Sequence, residues 1–121
     1  MLDTRPFEET PERGDLRDLV ASLLARELPP DRALAMDREG RFASGAWAAL
    51  GEAGLLGLGG DEADGGTGGT VGDAVAVTEE IARVLPRLSV DYVTCGMAMR
   101  MLGDGAGAAA RAWAPEIASG K

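Results

Sequence analysis

The stretch WAALGEAGLLGLGGDEADGGTGGTVGDAVAVTEEIARV, residues 47–84, decides the fold. It opens with the end of a helix that stops at Gly54 and continues through a GLLGL turn. The loop that follows, residues 59–69, holds six glycines and three acids and is predicted to be irregular. Thr70 and Asp73 then have the spacing of a capping box, which predicts a helix to about Leu85.

The spacing of apolar residues predicts a helix before this stretch as well. Residues 1–14 are polar and are expected to form a flexible lead-in. Asp15 is predicted to cap a helix that the Pro29-Pro30 pair ends. Its apolar face consists of Leu16, Leu19, Val20, Leu23 and Leu24. Residues 31–41 are charged and receive no firm assignment.

Three further helices are predicted from capping residues and prolines. Ser44 is expected to cap the helix that stops at Gly54. Pro86 is expected to interrupt the chain, with Ser89 capping a new helix to about Leu102. A last helix is expected from about Ala106 to Ser119. Because no segment alternates with the period of a strand, the predicted fold is all-α, a small bundle of four to five helices in one domain, residues 15–121.

Composition excludes several classes of function. A net charge of -8 disfavours binding to nucleic acid and to anionic membranes, since both attract basic surfaces. The chain has no histidine and one cysteine, which removes the common nucleophilic triads, histidine-ligated metals and an intrachain disulfide. The N-terminal residues do not resemble a secretion signal, so a cytoplasmic location is expected. Carboxylates are the acid–base groups that remain.

Three patterns invite a chemical interpretation that their context disfavours. The glycine loop could cradle a phosphate, but its three acids would repel one. Residues 103–108 match G-x-G-x-x-A, a pattern with meaning only between a strand and a helix. Glu79 and Glu80 diverge by about 100° on a helix and cannot form a shared carboxylate pair. We expect Glu79 to pair with Arg83 instead.

The predicted helix from Ser89 to Leu102 is apolar around most of its circumference and contains three of the five methionines. Such a helix is expected to be buried on several sides. Methionine suits both the filling of core gaps and the lining of a pocket for a flexible apolar ligand, and composition favours the core. If one face lines a pocket, helical spacing selects Val90, Val93, Thr94, Met97 and Met101.

The order of the GLLGL turn, the glycine loop and the EEIAR helix resembles the N-terminal helical domain of the acyl-CoA dehydrogenase family. The resemblance covers residues 16 to 121, and the ending WAPEIASGK is similar to the family's close of this domain. In that family a β-domain and a C-terminal helical domain follow. They hold FAD and a catalytic carboxylate, which remove hydrogen from the α and β carbons of an acyl thioester.

The resemblance implies that this domain supplies part of the acyl-chain wall, with Val93, Thr94, Met97 and Met101 as the substrate-binding residues. The sequence stops where the β-domain would begin, so no catalytic, cofactor-binding or metal-binding residue is assigned. FAD is implied for the complete enzyme and not expected for this chain alone, which would be catalytically silent. Whether the thioester is carried by coenzyme A or by a carrier protein stays open.

Two arrangements follow from this resemblance. The chain is either the N-terminal domain of an FAD-dependent oxidoreductase or a separate, non-catalytic binding or assembly subunit that docks onto a flavin-carrying chain. In both, the partners are β- and C-terminal domains and an acyl thioester substrate, in an oligomer. No nucleic acid or membrane partner is expected.

Overall fold

The computed structural model describes residues 8–104 and 107–121, and these form a helical bundle without a strand. The first four helices are α1 (Pro11–Glu27), α2 (Pro30–Glu39), α3 (Ser44–Glu52) and α4 (Val71–Val84). They are followed by α5 (Pro86–Asp104), α6 (Ala108–Arg111) and α7 (Ala114–Ala118). The predicted all-α class is confirmed. The number of helices is larger than predicted, because residues 30–39 are helical and the last predicted helix is two short ones.

Several predicted helix ends are confirmed and others are wrong. Gly54 has φ 74°, the left-handed conformation expected after α3. The first helix begins at Pro11 and not at Asp15, because the Thr10 side chain accepts a hydrogen bond from the Arg13 amide, and Pro11 suits the first turn. The rest of the predicted lead-in, residues 1–7, lies outside the described residues.

The two serine caps are also wrong. Ser44 is the first residue of α3, after Ala43, and makes no capping hydrogen bond. Pro86 begins α5 and does not interrupt it, because proline lacks only an N–H that the first turn leaves unpaired. The Ser89 hydroxyl, already inside the helix, donates to the Pro86 carbonyl oxygen at 2.6 Å.

The core lies where α4 packs between α1 and α5, the two helices with which it has its most extensive contacts. Of the predicted apolar face of α1, Val20, Leu23 and Leu24 are buried, whereas Leu16 is partly buried and Leu19 is half exposed. The largest fully buried side chains are Val20, Leu24, Leu50, Leu56, Val77, Ile81 and Leu88. Burying side chains of this size stabilises the fold by roughly 1.5–3 kcal/mol each before ordering entropy is subtracted.

A cluster of charged side chains holds α1 against α4. The Arg17 guanidinium contacts Glu79 at 2.6 Å and Glu80 at 3.1 Å, and it reaches back to Glu9 at 2.9 Å. The Glu79–Arg83 pair predicted from spacing is not formed, and Arg83 lies 3.8 Å from Glu80 instead. The two glutamates therefore share one cation, which explains how the Glu80 side chain can be buried.

The glycine-rich segment is folded back on itself by backbone hydrogen bonds. The Gly59 amide donates to Gly68 at 2.7 Å, and the Gly68 amide donates to Gly60 at 3.0 Å. A side chain on Gly66 would overlap the Gly60 backbone, so the close approach requires glycine there. One short 3-10 turn, Glu62–Asp64, lies inside the segment that was predicted to be irregular. Of the G-x-G-x-x-A stretch, residues 103 and 104 are the last two of α5, and residues 105 and 106 lie outside the described residues.

We expect Gly51→Ala and Gly45→Ala to change stability in opposite directions, although both glycines lie in α3. A methyl group at Gly51 would overlap the Ser119 carbonyl, which displaces the C-terminal segment. At Gly45 the nearest atom is Glu27 Oε2 at 3.7 Å, an ordinary contact, so alanine gains its helix propensity of about 0.5–1 kcal/mol. Urea unfolding of both variants measures this difference. Equal effects would contradict the close packing of α3 against the C-terminus.

We expect Arg17→Met to destabilise the chain by about 2 kcal/mol, because it leaves the buried Glu80 carboxylate with only the distant Arg83. Arg26→Met is the matched control, since Arg26 lies on the same helix and pairs only with the adjacent Glu27. Urea midpoints of the two variants provide the measurement. If the two substitutions lower the free energy of unfolding equally, the charged cluster does not hold α1 to α4.

Candidate functional site: an apolar groove between α4 and α5

An open groove of about 230 Å³ runs between α4 and α5. Leu56 and Tyr92 lie at its base and are buried, whereas Val75 on α4 and Met97 on α5 stand at its sides and are exposed. The complete lining is Leu56, Leu58, Gly59, Val71, Ala74, Val75, Thr78, Tyr92, Val93, Gly96, Met97 and Arg100. No carboxylate is in this set, so the groove itself suits an apolar ligand and supplies no general base.

The capping box at the start of α4 fixes one end of the groove. The Thr70 hydroxyl accepts from the Asp73 amide at 3.2 Å, and Asp73 Oδ2 accepts from the Thr70 amide at 2.8 Å, as predicted. Arg13 of α1 adds a contact to Asp73 at 3.2 Å. Burial alone would raise the pKa of Asp73, but the hydrogen bonds from Thr70 and the Arg13 guanidinium outweigh it, and the pKa lies below its ordinary value.

The base of the groove is fixed by contacts between α5 and the GLLGL turn. The Tyr92 hydroxyl donates to the Leu55 carbonyl oxygen at 3.0 Å, and Cys95 Sγ lies 3.8 Å from the Leu56 oxygen. Burial raises the pKa of both side chains, so neither carries charge at neutral pH. These contacts hold α5 in one rotation about its axis, and this rotation turns Val93 and Met97 into the groove.

The four predicted substrate-binding residues separate into two pairs. Val93 and Met97 line the groove, 43% and 60% exposed. Thr94 and Met101 lie outside the lining: the Thr94 hydroxyl donates to Val90 on its own helix at 2.8 Å, and Met101 is exposed. The prediction that α5 is buried on several sides is wrong, since one face is in the core and the methionines at 97 and 101 are exposed. Of the three methionines, Met99 alone is buried.

Sequence reasoning missed the contributions of α4 and of the glycine segment to the groove. Ala74 and Thr78 of α4 are partly exposed and line the groove. Gly96 was not singled out, although no heavy atom lies within 4 Å of a side chain added there. A glycine amid the large residues of α5 was the available signal, because it leaves room beside the helix.

Two other cavities are poorer candidates for the site, because one is lined by none of the predicted residues and the other is polar. A cavity of about 450 Å³ lies between α1, α2 and α4 and is lined by none of the four predicted residues. A polar cup of about 270 Å³ adjoins the groove and is lined by Asp61, Asp64 and Arg100 with nearby glycines. Its two carboxylates would repel an anionic ligand such as a diphosphate.

Two further features are relevant to the chemistry. Within residues 8–104 and 107–121, no set of three acidic, cysteine or histidine side chains could hold a metal ion. Over the same ranges, every helix is too short or too polar to cross a bilayer.

We expect Asp73→Asn to destabilise the chain by about 1 kcal/mol at pH 7, through loss of the capping box and of the Arg13 pair. Because the pKa of Asp73 is lower in the folded state, its contribution is present above about pH 4 and is lost as the pH falls below that value. Urea unfolding at pH 7 and pH 3 should therefore show a smaller loss at pH 3. Asp18→Asn, an exposed position on α1, is the control, and a pH-independent loss would contradict the shift.

The fold agrees with a comparison of the sequence with known families. The model described as "Acyl-CoA dehydrogenase, N-terminal domain" matches residues 10–121, nearly the entire chain. Comparison with curated proteins and with solved structures gives no match. The helical bundle, the GLLGL turn and the matched range together show that the chain belongs to the acyl-CoA dehydrogenase N-terminal domain family.

Proposed function

We propose that this chain acts as the N-terminal domain of an FAD-dependent oxidoreductase that introduces an α,β double bond into acyl thioesters. Its role there is to form one wall of the acyl-chain pocket. The observation that carries the proposal is the groove between α4 and α5, because two of the residues assigned to the acyl chain, Val93 and Met97, line it. Thr94 and Met101 would contact the acyl chain of the substrate only where it extends beyond the groove.

The groove contributes binding and orientation. Each methylene group transferred from water into an apolar environment gains roughly 0.8 kcal/mol, so a chain of a few carbons lying on Leu56, Val75 and Met97 is held without polar contacts. Met97 can follow chains of different shape, because an unbranched thioether has several accessible conformations. Binding there would also exclude water from that part of the substrate.

The catalytic groups would come from elsewhere. The sequence has no histidine, and no carboxylate lines the groove. FAD would supply the acceptor for the β-hydride, and its binding would fall to the β- and C-terminal domains. This chain would then be silent without them and would take its place in an oligomeric flavoenzyme in the cytoplasm.

The exposed apolar side chains around the groove support a covering partner in either arrangement. Val71, Met97 and Met101 are 53%, 60% and 72% exposed. Exposed patches of large apolar side chains usually mark contact surfaces. The partner domains would belong to the same polypeptide, or to a separate flavin-carrying chain if this is a non-catalytic assembly subunit. The mass of the natural polypeptide, detected in cell extract with an antibody to this domain, distinguishes the two.

We expect Gly96→Leu to abolish binding of an acyl chain, because Gly96 lines the groove and a Cβ added there has open space around it, so the leucine side chain fills part of the groove. The probe is hexanoyl-pantetheine, and the readout is the ¹³C-methyl NMR signal of Met97 in the methionine-labelled chain. Gly14→Leu is the matched control, since Gly14 also lies in a helix with no heavy atom within 4 Å of an added side chain.

The wild-type chain and Gly14→Leu should show the same saturable shift of the Met97 signal. The Gly96→Leu chain should show none while keeping its helical circular dichroism. A response that survives Gly96→Leu, or no response in the wild-type chain, would contradict the acyl-wall role.

A further inference from the structure

The apolar groove ends at a cation that the family assignment does not explain. Along α5 the groove is lined by Val93, then Met97, then Arg100, and Arg100 also lines the polar cup beyond. The Arg100 Nη2 atom would lie 3.8 Å from a side chain placed on Gly59, the other residue common to both cavities. Arg100 thus stands at the junction of an apolar trough and a polar cup.

The Arg100 guanidinium makes no hydrogen bond or ion pair with the residues that the structure describes, although acids are close. Asp64 also lines the cup, but its carboxylate lies 3.9 Å from the Arg111 guanidinium. Asp61 uses its side chain to accept from the Ala63 amide at 3.1 Å. Five N–H donors at the end of a groove without other charge are therefore available to a ligand.

We propose that Arg100 selects acyl chains whose far end carries a carboxylate. This inference rests on the proposed acyl-wall function. The reactive thioester end has to meet groups that this chain lacks, so it would leave the groove toward the other domains. The Arg100 end is instead bounded by this chain's own segment at Gly59 and Gly60. The end of the substrate that reaches Arg100 is then the end remote from the thioester.

A carboxylate fits this position better than a phosphate. The planar guanidinium binds a carboxylate through two parallel hydrogen bonds. Asp61 and Asp64 on the other side of the cup would repel a phosphate dianion about twice as strongly as a carboxylate, because the Coulomb energy scales with charge. The volume of about 230 Å³ leaves room for a short chain, so the substrate class is the monothioester of a short dicarboxylic acid.

The test compares two probes of equal chain length that differ only in the far end. Monomethyl adipate has a free carboxylate there, methyl hexanoate has a methyl group, and the ester of each represents the thioester. Binding to the full chain is followed by the Met97 methyl signal. The variants are Arg100→Gln and, as control, Arg87→Gln, another exposed arginine on α5 that lines neither the groove nor the cup.

The wild-type chain and Arg87→Gln should bind monomethyl adipate about tenfold more tightly than methyl hexanoate, as expected for hydrogen bonds to a charged group. In Arg100→Gln the two probes should bind equally. If the wild-type chain binds both equally, or Arg100→Gln keeps the preference, the Arg100 inference is wrong and the acyl-wall role stands. If neither probe moves the Met97 signal, the acyl-wall role fails as well.

Inorganic phosphate provides a third arm of the test. If it competes with monomethyl adipate at an equal concentration in the wild-type chain, the anion at Arg100 is a phosphate of the thioester carrier, and the carboxylate assignment is overturned. If it competes only weakly, the dicarboxylic substrate class is supported.

Discussion

The arrangement of this bundle depends on the contact between Arg17 on α1 and the adjacent Glu79 and Glu80 on α4. Helix α4 is the central element, because it packs on α1 on one side and on α5 on the other. A buried carboxylate such as Glu80 is costly unless a cation accompanies it. The cation comes from α1, and this fixes which side of α4 faces α1 and which side remains for α5.

The groove is a consequence of this orientation. With Val77 and Ile81 of α4 in the core, the neighbouring side chains Val71, Ala74, Val75 and Thr78 are left on the α5 side at the surface. Tyr92 and the GLLGL turn determine the rotation of α5 in the same way. Two helices fixed independently, one by an ion cluster and one by a buried hydroxyl, therefore meet with an open apolar seam between them.

Local chemistry was predictable from the sequence, whereas long-range pairing was not. The capping box at Thr70 and the left-handed glycine at Gly54 depend on residues a few positions apart, and both were predicted correctly. The partner of Glu79 lies 62 positions away, and no spacing rule identifies it. The two serine caps failed because each helix begins earlier than predicted, α3 at Ser44 itself and α5 at Pro86, so both serines lie inside a helix and not before it.

The sequence also did not predict which side of α5 is exposed. Its composition is apolar on both sides, so periodicity alone could not separate Met99 in the core from Met97 and Met101 at the surface. The buried side also contains the single cysteine, Cys95, whose thiol has a raised pKa and faces the Leu56 carbonyl oxygen. Because the Cys95 side chain is buried, its reaction with a thiol reagent is slow until α5 separates from the GLLGL turn. The rate of Cys95 modification therefore reports how often α5 and the GLLGL turn separate, which is a local opening of this domain.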